Sequence, residues 1–223
     1  MGIVSERNHD REQPEKVGRS YLVIKRILDI ILALIGLVIL ALPMLIIALI
    51  ILLFCGRPVF FVQTRLGKSG RHIRIIKFRS MCPNAEQKLT ELPVDLQKQY
   101  RSEFKIDHDP RVTRIGGFLR RTSLDELPQL WNILKGDLSI VGPRPILPEE
   151  IQFYKETDRK SFLSVTPGLT GYWQACSKPD DTNTTGKRQK MELYYVQHQR
   201  VTLDAYIVAC TVVTVIRKMF KAM

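Results

Sequence analysis

Cysteine and histidine are both scarce, with four of each in 223 residues. Cys55, Cys82, Cys176 and Cys210 stand far apart and none forms a C-x-x-C pair. Such spacing argues against a zinc site and reads as reduced thiols in the cytoplasm. His72 and His108 are equally isolated and read as surface or packing residues. No secretory leader is expected, because the first ~20 residues are polar and mixed in charge, without a short apolar core or a small-residue cleavage site. There is no internal repeat and no low-complexity segment. Acidic residues are in deficit: 22 Asp and Glu face 34 Lys and Arg, a net charge of +12. That excess calls for an anionic partner, whether nucleic acid, anionic lipid or a phosphorylated substrate. Nucleic acid fits least, since no basic patch is interleaved with aromatics for base stacking.

What the chain does contain is one long apolar run, Ile30 to Phe54, without a charge in it. A straight helix of about 25 residues would measure ~37 Å and could cross the ~30 Å hydrocarbon core. Pro43 divides the run, removing a backbone donor and clashing with the preceding turn, and each half alone is under ~20 Å. Both flanks are basic, with Lys16, Arg19, Lys25 and Arg26 before and Arg57, Arg65, Lys68, Arg71, Arg74 and Lys77 after. A spanning helix concentrates such charge on one side. A kinked span and a re-entrant hairpin are close to balanced on these grounds, and the hairpin is favoured. Asp29, at the start of the run, is expected to pair with Lys25 and Arg26 on the same helical face.

Two β-rich runs, 59–63 and 72–79, flank a Gly-containing turn and predict a hairpin. Its arms carry Arg74, Lys77 and Arg79, either a solvated face or a phosphate-binding edge. Residues 84–105 read as helical with an interruption at Pro93, 124–135 as a helix ended by Gly136, and 148–163 as a further helix. The segment Val141-Gly142-Pro143-Arg144-Pro145 must be extended, since prolines flank the arginine. Residues 177–190 are polar, and 191–223 read as a long helix, core or interfacial.

The chemistry-bearing stretch is Arg120-Arg121-Thr122-Ser123-Leu124-Asp125-Glu126-Leu127-Pro128. Ser123 and Glu126 fit a helix capping box, and as a pattern alone capping is the stronger account. The surrounding cations offer a second account. One carboxylate could attack phosphorus while its neighbour helps hold Mg²⁺, with arginines neutralising the phosphoryl charge.

Lys77-Phe78-Arg79-Ser80-Met81, the stretch from Arg120 through Pro145, and Pro167-Gly168-Leu169-Thr170-Gly171 closely resemble the bacterial sugar transferases, the monotopic phosphoglycosyl transferases. The resemblance runs from about Lys25 onward and implies a concrete activity. Family members move a sugar 1-phosphate from a UDP-sugar to undecaprenyl phosphate and release UMP, beginning surface-glycan assembly. By position Asp125 would be the nucleophile that carries the covalent phosphosugar. Glu126 would assist with Mg²⁺, which both carboxylates would ligate. Lys77, Arg79, Arg120, Arg144 and Lys178 would form the phosphate site, and Pro43 the bend of a re-entrant membrane helix. Two departures stand out. Leu42 precedes Pro43 where the family often has serine, and Ser177-Lys178 replaces a common Gly-Arg, so lysine lacks arginine's two-pronged phosphate contact.

The expected fold is α+β and mainly helical. A flexible polar tail covers 1–20, a re-entrant membrane helix 21–56, a cytosolic catalytic domain with the β-hairpin 57–203, and an amphipathic interfacial helix 204–223. The implied place is the bacterial inner membrane with the site on its cytoplasmic face, and the partners are UDP-sugar, undecaprenyl phosphate and anionic lipid, with a homo-oligomer left open. The alternatives are a membrane-anchored binding module and a scaffold that has lost catalysis. Mg²⁺-dependent UMP release separates them from the enzyme.

Overall fold

The apolar run forms the longest element, helix α1 (Arg19–Cys55), which continues through Pro43. A computed structural model describes residues 18–177 and 186–222, so most of the expected polar tail lies outside the described residues, as does Lys178. Among the described residues α1 is the one helix long and apolar enough to cross a membrane. Its sequence is apolar on every side, yet only one stripe is covered. Ala33, Leu37 and Leu40 pack on Ile73, Ile75, Leu130 and Ile133. Met44, Ile47, Ala48 and Ile51 continue the stripe against Phe78, Leu119, Leu124 and Leu127. The spacing of three and four residues keeps these side chains on one face. The remaining faces, including Val38, Leu42 and Leu53, are exposed. Exposed apolar surface of that extent marks a lipid or protein contact.

The predicted hairpin is present. Strand β1 (Phe60–Leu66) pairs antiparallel with β2 (His72–Phe78), from Phe60 opposite Phe78 to Leu66 opposite His72. Pro93 separates α2 (Ala85–Leu89) from α3 (Val94–Glu103). Helix α4 (Arg114–Thr122) is capped by Thr113, whose hydroxyl accepts from the Gly116 amide. A short 3₁₀ turn, Leu124–Glu126, then leads to α5 (Gln129–Lys135), which ends at Gly136 with φ 83°.

A second, unpredicted sheet follows. Strand β3 (Ser139–Val141) lies parallel to β4 (Gly168–Thr170), which α7 (Tyr172–Cys176) follows. A Cβ on Gly168 would stand 2.1 Å from the Gly142 amide, so both glycines are needed for the two strands to meet at this point. Between the strands run a 3₁₀ segment, Pro148–Phe153, and α6 (Glu156–Leu163), where the sequence suggests one helix. The long C-terminal helix is likewise two, α8 (Lys187–Gln197) and α9 (Val201–Ala222). Leu203 and Ile207 of α9 are buried with Tyr195, while Val212, Ile216 and Phe220 are exposed.

The expected Asp29 ion pair is not what the structure shows. Lys25 reaches Asp204 at 2.7 Å, and Arg26 donates to the carbonyls of Ile133 and Leu134 at 2.7 and 2.8 Å. Asp29 is buried and instead accepts from the Ile140 amide at 2.9 Å and the Ser139 hydroxyl at 3.1 Å. These bonds supply the partners a buried carboxylate requires, and they fasten α1 to β3.

Asn132 joins α5 to the hairpin. Its Oδ1 accepts from the Ile76 amide at 3.0 Å, and its Nδ2 donates to the Arg74 carbonyl at 2.7 Å. The amide thus substitutes for a neighbouring strand along β2. Asn132→Leu would keep the volume and leave two backbone groups of β2 without partners, at about 1–3 kcal/mol each. The expected outcome is a thermal-unfolding midpoint in detergent clearly below that of the wild type. An unchanged midpoint would contradict this role.

Candidate active site

Helix α4 ends in a reversal at Ser123, whose φ of 60° turns the chain back and places the next three residues in the 3₁₀ turn. The capping box is therefore not formed: Ser123 makes no side-chain cap to the turn it precedes. Its left-handed backbone closes α4 instead, and Asp125 and Glu126 are left to face other partners.

Those partners come from β2 and α4. Lys77 Nζ binds Glu126 Oε1 at 2.5 Å. Arg120 Nε donates to the Ser80 hydroxyl at 2.8 Å. Ser80 itself is held against α4 by the absence of a side chain at Gly116, where a Cβ would lie 1.8 Å from the Ser80 carbonyl oxygen. Asp125 is 8% exposed, and no side chain among the described residues donates to it.

The two carboxylates are consequently unlike. Burial pushes the Asp125 carboxyl up, the Glu126 charge pushes it further, and Lys77 and Arg120 only partly oppose them, leaving it at about 6. Burial also raises Glu126, but the attraction and hydrogen bond of Lys77 outweigh it and hold Glu126 below the usual glutamate value. Two adjacent acids that titrate apart are suited to different tasks.

A cleft beside the dyad is lined by Lys77, Glu126, Gln129, Arg144 and Gln174. Of the residues expected at the site, the structure brings Lys77, Glu126 and Arg144 to this cleft and sets Asp125 and Arg120 next to them. Arg79 is not brought there. It is buried, and its guanidinium donates to the carbonyls of Cys55, Gly56 and Arg57, where α1 ends. The last turn of a helix leaves carbonyls without partners, and a cation satisfies both those groups and the helix dipole.

Sequence reasoning missed what stands behind Arg144. Glu192 of α8 is wholly buried and accepts from the Arg144 amide at 3.2 Å. Glu150 lies between Arg65 at 3.0 Å and Arg188 at 3.1 Å. Glu192 and Arg188 sit in a segment whose periodicity is weak, so nothing local signals that their charges point inward. Lys77 and Arg144 are expected at the site from the family resemblance, since their local signals suit a solvated strand face and an ordinary turn as well.

Burial raises the Glu192 carboxyl to about 7, with Arg188 and the Arg144 amide opposing. A carboxyl raised in the folded state contributes stability that is present below its ordinary value of 4.5 and is lost as pH climbs to about 7. Glu192→Gln should remove that component. The difference in thermal midpoint between wild type and variant should shift in the variant's favour between pH 4.5 and pH 7 and stay level above. A difference independent of pH would refute it.

Comparison with known proteins gives this geometry its context. The profile of the bacterial sugar transferases matches residues 20–218. Galactosyl transferase CpsE of Streptococcus agalactiae is 40% identical over 204 residues, covering 88% of this chain and 43% of the relative. Undecaprenyl-phosphate galactose phosphotransferase of Salmonella typhimurium is 36% identical over 211 residues, 93% of this chain and 44% of the relative. Exopolysaccharide production protein ExoY of Rhizobium meliloti is 35% identical over 191 residues, 84% of this chain and 83% of the relative. The chain thus spans less than half the length of the first two and most of the third. With the matched region enclosing α1, the dyad and the Arg144 loop, the chain belongs to the bacterial sugar transferase family.

Proposed function

We propose that this protein transfers a sugar 1-phosphate from a UDP-sugar to undecaprenyl phosphate, releasing UMP, through a covalent intermediate on Asp125. The observation that carries this reading is the state of Asp125. It is buried, unclaimed by any described side chain and adjacent to a glutamate that Lys77 already neutralises. Among the described residues only its own backbone amide hydrogen-bonds to it, which leaves carboxylate lone pairs for a ligand.

The balance of the reaction follows. A carboxylate oxygen of Asp125 bonds to the sugar-bearing phosphorus, the anhydride bond to the uridine-bearing phosphate breaks, and UMP leaves with that bridging oxygen. An oxygen of the polyprenyl phosphate then bonds to the same phosphorus, the aspartyl bond breaks, and the carboxylate is restored. Each step forms one phosphorus–oxygen bond and breaks another, so no further reactant is required. Two substrates of opposite solubility can then use one site in turn. Lys77 fixes Glu126 and, with Arg120 and Arg144, supplies positive charge where the transferring group is negative.

The dyad offers hard oxygen ligands, and no cluster of three or more metal-ligating side chains occurs among the described residues. Two carboxylates fit Mg²⁺, which keeps water and takes phosphate oxygens for the rest of its shell. Asp125 and Glu126 would hold it, and when bound it would neutralise phosphate charge. Relatives named for galactose and N-acetylgalactosamine supply the first donors to try.

We read α1 as a re-entrant membrane element and the site as lying at the cytoplasmic face. In support, the same domain grips both ends of the helix: Arg26 reaches carbonyls of α5, and Arg79 of β2's end reaches the carbonyls of Cys55 and Gly56. A straight crossing would put those two grips on opposite sides of a ~30 Å core. Pro43 lies between them. Basic residues on both flanks suit anionic headgroups on one side.

UMP release from UDP-galactose or UDP-N-acetylgalactosamine, with Mg²⁺ and undecaprenyl phosphate, should be lost in Asp125→Asn while membrane association persists. A variant that still turns over at the wild-type rate would remove Asp125 as nucleophile. The nucleophile must be ionised, and Mg²⁺ held by the dyad would favour the ionised form, so the acid limb of UMP release should have its midpoint below the value of about 6 that burial gives the metal-free Asp125 carboxyl. A midpoint at or above about 6 would show that the cation does not act on Asp125.

A further inference from the structure

Helix α9 turns one stripe of side chains toward the rest of the protein. Leu203 and Ile207 are buried there, Thr211 shares a hydrogen bond with the Thr170 hydroxyl at 2.8 Å, and Thr214 donates to the Ala175 carbonyl at 3.3 Å. Intervals of three and four residues keep these side chains on one face. Their partners adjoin the cleft beside the dyad. Thr170 follows Leu169 on β4, Ala175 follows Gln174 on α7, and Leu169 and Gln174 both line the cleft. Val212, Val213, Ile216 and Phe220 lie on the opposite face and are exposed.

The next residue on the protein-facing stripe is Lys218, four positions and about 6 Å along the axis beyond Thr214. The stripe thus passes from leucine and isoleucine through two threonines to a cation, growing more polar toward one end. At that end α9 has another neighbour: it packs on α4, whose last turn leads directly into the dyad. The positive charge of Lys218 acts on Glu126 and helps hold that carboxyl ionised. Lys218 is exposed, and among the described residues it has no hydrogen bond or ion pair of its own.

The other cations near the dyad are largely engaged. Lys77 holds Glu126, and Arg120 donates to Ser80, which leaves Arg144 in the cleft. A UDP-sugar brings two negatively charged phosphates together. The uridine-bearing one gains further charge when the bridging oxygen keeps the electrons of the broken anhydride bond. One arginine can meet one phosphate, and the second calls for another unengaged cation. We propose that Lys218 is a substrate-binding residue whose ammonium meets the pyrophosphate of the UDP-sugar beside Glu126. This rests on the transferase reading above and adds a cation from a helix outside the stretches that carry Asp125, Glu126 and Arg144.

Lys218→Met removes the charge and keeps most of the side chain's length. Arg217→Met removes the same charge from the adjoining residue, ~100° round the helix, and serves as the control. In the full chain in detergent with Mg²⁺, binding of UDP, followed by calorimetry, should weaken about tenfold in Lys218→Met and stay within about twofold of wild type in Arg217→Met. The burst of UMP from UDP-galactose or UDP-N-acetylgalactosamine at low donor concentration should slow by the same factor in Lys218→Met. Lys218→Arg returns the charge and should restore both measures. UDP affinity unchanged in Lys218→Met, equally weakened in Arg217→Met, or unrestored in Lys218→Arg would overturn the proposal. Absence of any UMP burst from the wild type would defeat the transferase reading, and the UDP affinities would then decide Lys218 alone.

Discussion

The amide of Asn132 is the contact on which the site's geometry depends. Among the described residues strand β2 has a strand partner on one side only, so its other edge carries backbone groups that need bonds. Asn132 gives that edge one donor and one acceptor from a helix, at zero exposure. The Asn132 carbonyl also receives the amides of Asp137 and Leu138, which starts the chain toward β3. One residue thereby sets the distance between the strand carrying Lys77 and the turn carrying Glu126, and directs the chain to the second sheet. Lys77 and Glu126 meet across this interval.

Electrostatics then divides labour between neighbours. Asp125 and Glu126 share a turn and a local sequence, yet Lys77 engages only one of them. The attraction and hydrogen bond of Lys77 favour the ionised form of Glu126, while no described side chain donates to Asp125. Behind Arg144 the same logic recurs in a buried series, Arg65, Glu150 and Arg188, with Glu192 holding the backbone at the arginine. Buried charges of alternating sign cost less than isolated ones, and their worth here lies in fixing a loop that must present a cation.

Much of the layout could be read from local signals. The apolar run, the hairpin around Gly67 to Gly70 and the stop at Gly136 each depend on a few adjacent residues, and the structure contains all three. Features built from residues distant in the chain could not be read in this way. The sheet of β3 and β4 depends on Gly142 meeting Gly168, which no periodicity announces. Asp29 has two basic neighbours one turn away, so its pairing looked local, but its real partners are at 139 and 140. Ser123 and Glu126 have capping-box spacing, but the left-handed turn that prevents the box comes from how α4 ends. Arg79 shares a motif with Lys77, and alternation along a strand would put the two on one face, but β2 ends at Phe78 and Arg79, just beyond it, turns to the end of α1.

The latch between Arg79 and the end of α1 has a consequence for how the protein is made. The carbonyls of Cys55, Gly56 and Arg57 wait for a residue 22 to 24 positions further on, and the partners of Arg26 lie 107 and 108 positions on. Synthesis runs from the N-terminus, so the greasy helix is made before Arg79 and well before the partners of Arg26. On the membrane reading proposed above, lipid would be its first chaperone, and the rest of the chain would fold onto a template already seated. A bilayer that delivers α1 at the wrong depth would misplace the template, and the error would pass to every element later docked on it.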